Sequence, residues 1–375
     1  MVTTSNAVTG ANPVQVQAPA VVQSVNVSAP ALKKFRIMGN LPYNPGLSSQ
    51  TQLSVGYKIR GMYLQLVGSA VFSAAYAAGT NGYNLYDMIN NVQVQTPGGT
   101  TLYNISGKQL FWLNYFRNKV ANRNALSSST VAAPYTSQVF GYLWLPFALN
   151  DQLQRVQTSL NATGFTGGGL NLIINWNPLA LTFGSTATSA TITATVYGDE
   201  NIGGINPSNL INYSIKNLGS FGANSDFNFL ISPASNKAIR AVMLNGYTSA
   251  GADQGFTLPK FSWGTGTTFS YIDYDGDLST LQKLWNSNIN TDVITSNDIS
   301  AFITALRTGG SVPINNGVDL TSIKYIDIAM DGLLTEMYNT AGQAPIEISG
   351  QIGTLNNAAT SINLVATVIE YLSAA

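Results

Sequence analysis

The densest group of side chains that could do chemistry is formed by Asp273, Asp275 and Asp277 in the segment YIDYDGDLS. Carboxylates at alternate positions are typical of the first half of a calcium-binding loop. Such a loop has its glycine at the sixth position and a glutamate at the twelfth, whereas Gly276 is fourth here and Leu284 is twelfth. A strand that turns at Gly276 and is followed by a capped helix explains the same residues. Ion binding by the three aspartates stays an open alternative.

Most other catalytic chemistry is excluded by composition, because the chain contains neither histidine nor cysteine. Imidazole bases, thiolate nucleophiles and thiolate zinc sites are therefore absent. Paired carboxylates remain the main catalytic option, and Glu336, Glu347 and the Asp273 group are the candidates for a carbohydrate-active enzyme. No motif pairs them. We therefore predict no catalytic residue, no metal ligand, no cofactor and no enzymatic activity.

Phosphate and nucleic-acid recognition are also disfavoured. The segment ISGKQL contains a Gly-Lys pair, but Gln109 replaces the Ser or Thr of a phosphate-binding loop and Leu102 replaces its first glycine. The net charge is zero, with 17 basic and 17 acidic residues, so the chain lacks the positive surface that binds phosphate backbones. We expect no direct nucleic-acid partner.

The elements that would position any site are short strands of alternating polarity. Val92 and Val94 alternate with glutamines before a Pro-Gly-Gly turn, which predicts a β-hairpin with the run that follows. Segments such as LNLIINW (170–176) and TITATVY (191–197) place apolar residues on one face. About eight such segments occur in each half, the number that a jelly roll requires. Helices are predicted at 108–120, with Ser106 as the cap, at 277–289 and at 296–306.

An internal repeat is indicated by two pairs of similar segments. ATV at 194–196 recurs at 366–368, an offset of 172, and KIRGMYLQLVG (58–68) resembles AIRAVMLNG (238–246), an offset of 180. Gly, Pro and Asn cluster at 198–209 between the copies. We predict an all-β protein of two consecutive eight-stranded jelly rolls with short inserted helices. The expected divisions are an arm at 1–32, a first jelly roll at 33–200 and a second at 201–375.

Charge is distributed unevenly along the chain. Residues 1–200 contain 10 basic and 4 acidic side chains and residues 201–375 contain 7 and 13, so the halves carry +6 and −6. Residues 1–32 are uncharged and contain three prolines, which argues against a signal peptide and favours an extended arm; no membrane-spanning segment is predicted. Lys33, Lys34 and Arg36 follow the arm directly and are candidates for facing a membrane.

The order of these segments resembles the double jelly-roll major capsid proteins of tailless icosahedral viruses with an internal membrane, the tectivirus and adenovirus-hexon lineage. The resemblance covers residues 33–375 and is most specific in VGYKIRGMYLQLVGSAVF (55–72), NLYDMINNVQVQTPGG (84–99), the helix GKQLFWLNYF (107–116) and VFGYLWLPFAL (139–149). Trp144, Leu145 and Pro146 occupy the place of that family's Trp-Leu-Pro strand. The neutral, proline-broken N-terminus departs from the charged amphipathic helix that family members often carry.

The resemblance implies a structural protein of the virion, made in the host cytoplasm. It implies homotrimers that form pseudo-hexagonal capsomers and tile a bacteriophage-like icosahedral shell. The implied partners are neighbouring capsomers, minor capsid and vertex proteins, and the internal viral membrane, with the arm touching either the membrane or a neighbouring capsomer. The alternative is a carbohydrate-binding or carbohydrate-active β-sandwich surface protein, which shares the richness in Thr, Asn and Gly.

Overall fold

The structure is a computed structural model. It describes residues 32–74, 84–117, 134–148, 159–163, 165, 168–202, 209–232, 237–265, 271–276, 322–327, 338–339 and 345–373. The arm up to residue 31 and the helices predicted at 277–289 and 296–306 lie outside these residues.

The described residues of the first half form nine strands and two helices. The strands are β1 (Leu32–Pro42), β2 (Ser48–Leu53), β3 (Lys58–Phe72), β4 (Ile89–Gln95), β5 (Thr101–Ile105), β6 (Tyr135–Pro146), β7 (Leu160–Asn161), β8 (Leu170–Trp176) and β9 (Ala187–Ile202). Helix α1 (Gly107–Arg117) lies between β5 and β6, and the short α2 (Leu179–Phe183) lies between β8 and β9. A 3-10 turn covers Asn84–Met88. The predicted hairpin is present as β4 and β5.

Described strands of the second half repeat this order. They are β10 (Asn209–Gly222), β11 (Asp226–Ile231), β12 (Lys237–Tyr247), β13 (Lys260–Thr265), β14 (Tyr271–Gly276), β15 (Ile323–Asp327), β16 (Tyr338–Asn339), β17 (Ile346–Gln351) and β18 (Ser361–Ser373). A 3-10 turn covers Asn356–Ala358. Strand β9 ends at Ile202 and β10 begins at Asn209. The exact division of the chain at residue 200 stays a prediction.

The strands pair in four antiparallel sheets with matching strand orders. Sheet I is β1-β9-β3-β6 and sheet II is β2-β8-β4-β5 in the first unit; sheet III is β10-β18-β12-β15 and sheet IV is β11-β17-β13-β14 in the second. The two-residue strands β7 and β16 pair with β3 and β12 at equivalent positions. In each unit the last long strand pairs between the first and third, which is jelly-roll topology. The predicted double jelly roll is therefore confirmed.

Period-two alternation places the predicted apolar residues in the two cores. On β8, Leu170, Leu172, Ile174 and Trp176 are all at most 2% exposed, while the intervening residues are half-buried. The second unit has its own core, formed by residues such as Phe227, Val242, Ile348 and Leu364. Because side chains alternate between the two faces of a strand, a shift of one residue would turn the apolar residues away from the core. The pattern therefore specifies which face of each strand is buried.

The two sequence repeats fall on equivalent strands and share a β-bulge. Arg60 is the extra residue between Ile59 and Gly61 on β3, and Arg240 is the extra residue between Ile239 and Ala241 on β12. Ile59 pairs with Glu200 and Ile239 pairs with Glu370, so the last strands are related by an offset of 170 rather than 172. The difference of two residues preserves the face of the strand, which is why the repeat is visible in the sequence.

Close backbone contact between β3 and β9 gives a test of this register. A Cβ atom on Gly68 would overlap the carbonyl of Thr191, whereas nothing lies within 4 Å of a Cβ on Gly56. We expect G68A to lower the free energy of unfolding by about 1–3 kcal/mol, and G56A to change it by less than about 0.5 kcal/mol. Urea unfolding of both variants measures the difference. Equal effects would contradict the pairing of β3 with β9.

Candidate assembly surfaces

The outward side of sheet I carries exposed aromatic and aliphatic side chains. Strand register places Ile37, Tyr197, Tyr63 and Trp144 in one row across the sheet. Five side chains are more than two-fifths exposed: Phe35 (51%), Ile37 (56%), Val67 (46%), Phe140 (60%) and Tyr142 (43%). We call these five, with Tyr63 and Trp144, the aromatic face. A contiguous exposed apolar surface of this kind marks an interaction site.

The rings of the aromatic face are held in place by contacts within the sheet. The rings of Tyr63 and Trp144 lie 4.2 Å apart between centroids. The Tyr197 hydroxyl donates to Oε1 of Gln65 at 3.1 Å, and Nε2 of Gln65 donates to the Tyr142 hydroxyl at 2.9 Å. Because these side chains are already ordered, a partner that covers them would immobilise few additional rotamers.

The equivalent face in the second unit, on sheet III, is covered by the first unit. On β12, Val242 and Leu244 point into the second core, whereas Ala241 and Met243 point the other way and belong to the core of the first unit. Ile323, Tyr325 and Ile369 from β15 and β18 join them there. These five residues are at most 3% exposed, whereas Ile215, on the same side of the edge strand β10, is 38% exposed. Sheet III is therefore covered on both faces over β12, β15 and β18.

Helix α1 of the first unit makes polar contacts with the second unit. Its start is a reciprocal capping box, in which the backbone N–H of Gln109 donates to Ser106 Oγ at 3.2 Å and the N–H of Ser106 donates to Gln109 Oε1 at 2.9 Å. This confirms Ser106 as the predicted cap. Nε2 of Gln109 then donates to Thr367 Oγ1 on β18 at 2.9 Å, and both residues are at most 3% exposed. Gln109 thus both completes the capping box and fixes the helix against sheet III.

Lys108, the neighbour of Gln109, reaches a second place on the other unit. Its Nζ lies 3.6 Å from Oδ1 of Asp253, donates to the Gly251 carbonyl at 3.0 Å and lies 5.6 Å from the Tyr247 ring centroid. Burial raises the pKa of Tyr247, and the nearby Asp253 carboxylate raises it further. The ion pair joins a basic residue of the first half to an acidic residue of the second.

Both units begin and end at one end of the molecule, which we call the base. Leu32 of β1 pairs with Ile202 of β9, and Asn209 of β10 pairs with Ser373 of β18. Of the three predicted membrane-facing residues, Lys33 pairs with Asn201 in the sheet, and the Lys34 ammonium lies 4.9 Å from the Tyr57 ring centroid. All three lie on β1 near the base.

The third predicted residue, Arg36, is bound within the protein. Its Nε and Nη2 donate to the two carboxylate oxygens of Glu200 at 2.6 and 3.1 Å, and Nη2 also donates to the Ser54 carbonyl at 2.7 Å. Glu200 is fully buried. The hydrogen bond that Arg36 donates to Glu200 raises the pKa of Arg36 above its ordinary value, while burial opposes the shift. The pair ties β1 to β9.

A second buried ion pair lies next to the first. Nη2 of Arg60, at the bulge, donates to both carboxylate oxygens of Asp199 at 2.5 and 2.7 Å. Burial lowers the pKa of the nearby Lys58 on the same strand. Sequence reasoning missed both pairs. The recurrence of Arg in KIRG and AIRA was the available signal, but it could not show which carboxylate each Arg meets.

The carboxylates considered for catalysis are not brought together in the described part of the chain. Glu347 lies in a groove of about 480 Å³ on the outward side of sheet IV, with Asp226, Lys260 and Ser349. Its Oε1 accepts a hydrogen bond from Asn228 at 3.3 Å. The side chains of Asp273 and Asp275, and all of Asp277 and Glu336, lie outside the description.

The described residues offer neither a metal-binding cluster nor a membrane-spanning helix. No group of three or more Asp, Glu, His or Cys side chains there could hold a metal ion. In the same ranges we found no helix with the length and apolar character needed to span a membrane.

The strand order, which is the same in both units, defines the fold class of this protein as a double jelly roll. Solved structures confirm the predicted resemblance to viral capsid proteins. The STIV major capsid protein (Sulfolobus turreted icosahedral virus) has a TM-score of 0.64 and 12% identity, covering 92% of this chain and 97% of that one. The major capsid protein of bacteriophage PM2 has a TM-score of 0.54 and 12% identity, covering 91% and 97%. The PBCV-1 capsid protein has a TM-score of 0.57 and 11% identity, covering 92% and 95%.

These TM-scores, at identities of only 11–12%, show a shared fold. No family model matches the sequence, and no curated protein matches it.

The buried Arg36–Glu200 pair should contribute more to stability than the partly exposed Lys108–Asp253 pair. We expect E200Q to lower the free energy of unfolding by about 2–4 kcal/mol, because it breaks a buried bidentate pair. D253N, a matched carboxylate-to-amide change, should cost less than about 1 kcal/mol. Denaturant unfolding of the two variants checks this. A larger loss of unfolding free energy for D253N than for E200Q would show that the Arg36–Glu200 pair does not anchor β1.

Proposed function

We propose that this protein is the structural major capsid protein of an icosahedral virion and has no enzymatic activity. Three copies form a pseudo-hexagonal capsomer, and capsomers tile the shell. The observation that carries the proposal is that two equivalent sheet faces differ in burial. The outward face of sheet III is covered by the first unit, whereas the aromatic face of sheet I is open. The capsid proteins that share the fold support this proposal.

The contact between the two units is heterologous, since the helix side of the first unit meets the sheet face of the second. A heterologous contact that is repeated between copies builds either a closed ring or an open filament. Three copies supply six similar units. If the helix side of each unit contacts the sheet face of the next unit around a ring, the outward faces of sheet I and sheet III are covered in every copy. The aromatic face would then meet the second unit of a neighbouring copy.

Energetics favour such a contact. Burial of a large apolar side chain contributes roughly 1.5–3 kcal/mol relative to full exposure, and five side chains of the aromatic face are 43–60% exposed. Part of this gain offsets the entropy lost on association. The opposite charges of the halves, with the Lys108–Asp253 pair as an internal example, would favour correct approach of unlike units.

The base is the proposed inner side of the shell. The predicted arm (1–32) leads into β1 there, next to Lys33, Lys34 and Arg36, and it would touch either the internal membrane or a neighbouring capsomer. Glu200 neutralises Arg36, so this residue would contribute less to a headgroup contact than the two lysines. Minor capsid and vertex proteins are the further partners of this proposal, which places the mature protein in the virion after synthesis in the host cytoplasm.

Trimer formation through the aromatic face is tested by F140D. The change places a carboxylate on the face, and burial of an unpaired charge should weaken the contact by more than about 100-fold. Native mass at micromolar concentration should fall from three times 39.8 kDa to a single chain. L47D is the control, because Leu47 is 68% exposed in the turn between β1 and β2, away from the face. A monomeric unaltered protein, or a trimeric F140D, would refute the proposed contact.

The role of the arm is tested by removing residues 2–30. Trimers should still form, because every described strand is retained. Closed shells that contain lipid should become rare, since the proposed inner contact is lost. Native mass gives the first result, and electron microscopy with lipid analysis of the particles gives the second. Unchanged yields of lipid-containing shells would show that the arm has no such role.

A further inference from the structure

The outward side of sheet II has an unusual chemistry, because it is polar but uncharged. The four strands SSQTQL, INNVQVQ, TLYNI and LNLIINW contain no charged residue. Register places Gln50, Ile173, Gln93 and Asn104 in a central row, with rows containing Gln52 and Asn175 on either side. We call this surface, defined by these six residues, the amide face. It lies on the opposite side of the first sandwich from the aromatic face.

Some amides on this surface are engaged within the sheet, and two are available to a partner. Asn104 Oδ1 accepts hydrogen bonds from Asn91 at 2.8 Å and from Gln93 at 3.4 Å, and Asn175 Oδ1 accepts one from Ser48 at 2.5 Å. Within the described part of the chain, the amides of Gln50 and Gln52, both exposed, make no hydrogen bond.

Amides and charges differ in their ability to pair with copies of themselves. An amide has both a donor and an acceptor, so it can pair with an identical amide in either orientation. Across a two-fold axis a surface meets itself, and a surface with net charge is then repelled. The equivalent strands of sheet IV contain Asp226, Lys260, Glu347, Asp273 and Asp275, a net charge of −3. Of these two equivalent surfaces, the amide face is the one that is electrostatically suited to contact its own copy.

The size of the face determines how strong such a contact can be. Four strands about 4.8 Å apart and about six residues long cover roughly 400 Å². A stable pairwise interface buries roughly 800 Å² on each partner, so this contact would be weak between two isolated capsomers. Many weak contacts act together in a shell, where they allow misplaced capsomers to dissociate.

We propose that the amide face is a self-complementary contact between capsomers, in which it meets the amide face of a second copy across a two-fold axis. The inference rests on the proposed function, since it concerns association beyond the trimer. Surfaces that solvent alone covers normally carry charges that prevent association. The absence of such charges on sheet II is explained by a neutral partner.

Paired charge variants at Gln93, in the central row, test the proposal. Q93K and Q93E trimers should each need about tenfold higher concentration to form particles heavier than a trimer, because like charges meet across the axis. An equimolar mixture of separately prepared Q93K and Q93E trimers should restore the original concentration. Q351K, on the equivalent surface of sheet IV, is the matched control and should behave as the unaltered protein. Sedimentation velocity and light scattering against concentration provide the readout.

Two outcomes would overturn the proposal. If both variants associate as the unaltered protein does, the amide face is covered only by solvent. If one sign of charge strengthens association and the other weakens it, the partner is a charged surface such as sheet IV. Native mass of each variant is measured first, so failure to form trimers, which would refute the proposed function, is distinguished from failure of trimers to associate.

Discussion

A sheet that is apolar on both faces must be covered on both sides, and the rest of this structure depends on that requirement. On β12, Val242 and Leu244 face the second core, and Ala241 and Met243 face the first unit. The second jelly roll is therefore not complete alone, because separation would expose the covered side of sheet III to water. The placement of helix α1 against β18 serves to cover this surface.

Buried ion pairs at the base work against simple hydrophobic patterning and make the fold specific. Arg36 with Glu200 and Arg60 with Asp199 join β1, β3 and β9 at the point where the chain enters the first sandwich. A slip of one residue in either pairing would leave a buried carboxylate without its arginine, which costs several kcal/mol. The pairs therefore specify the register of these strands.

The low content of charged residues affects the outward faces of all four sheets. With 9% charged residues in the chain, the outward faces of sheets I, II and III are distinguished by chemistry other than net charge, and sheet IV is the one that carries a charged groove. One is aromatic, one is an amide surface, one is apolar and buried, and one carries the charged groove with Glu347. Four sheets of similar topology thus present four different surfaces, and a chain that repeats one fold can make several distinct contacts.

The sequence by itself determined the class of fold, because strand periodicity and the order of turns are local properties. Alternation in LNLIINW predicted its buried face, Ser106 predicted the start of α1, and two short repeats predicted the second jelly roll. The sequence also pointed to Lys33, Lys34 and Arg36 as one group. Only the tertiary structure separated Arg36 from the others, because its partner Glu200 is 164 residues away in the chain. Long-range pairing likewise decided which of two equivalent sheet faces is buried, since apolar residues on a strand show that a face needs covering but not what covers it.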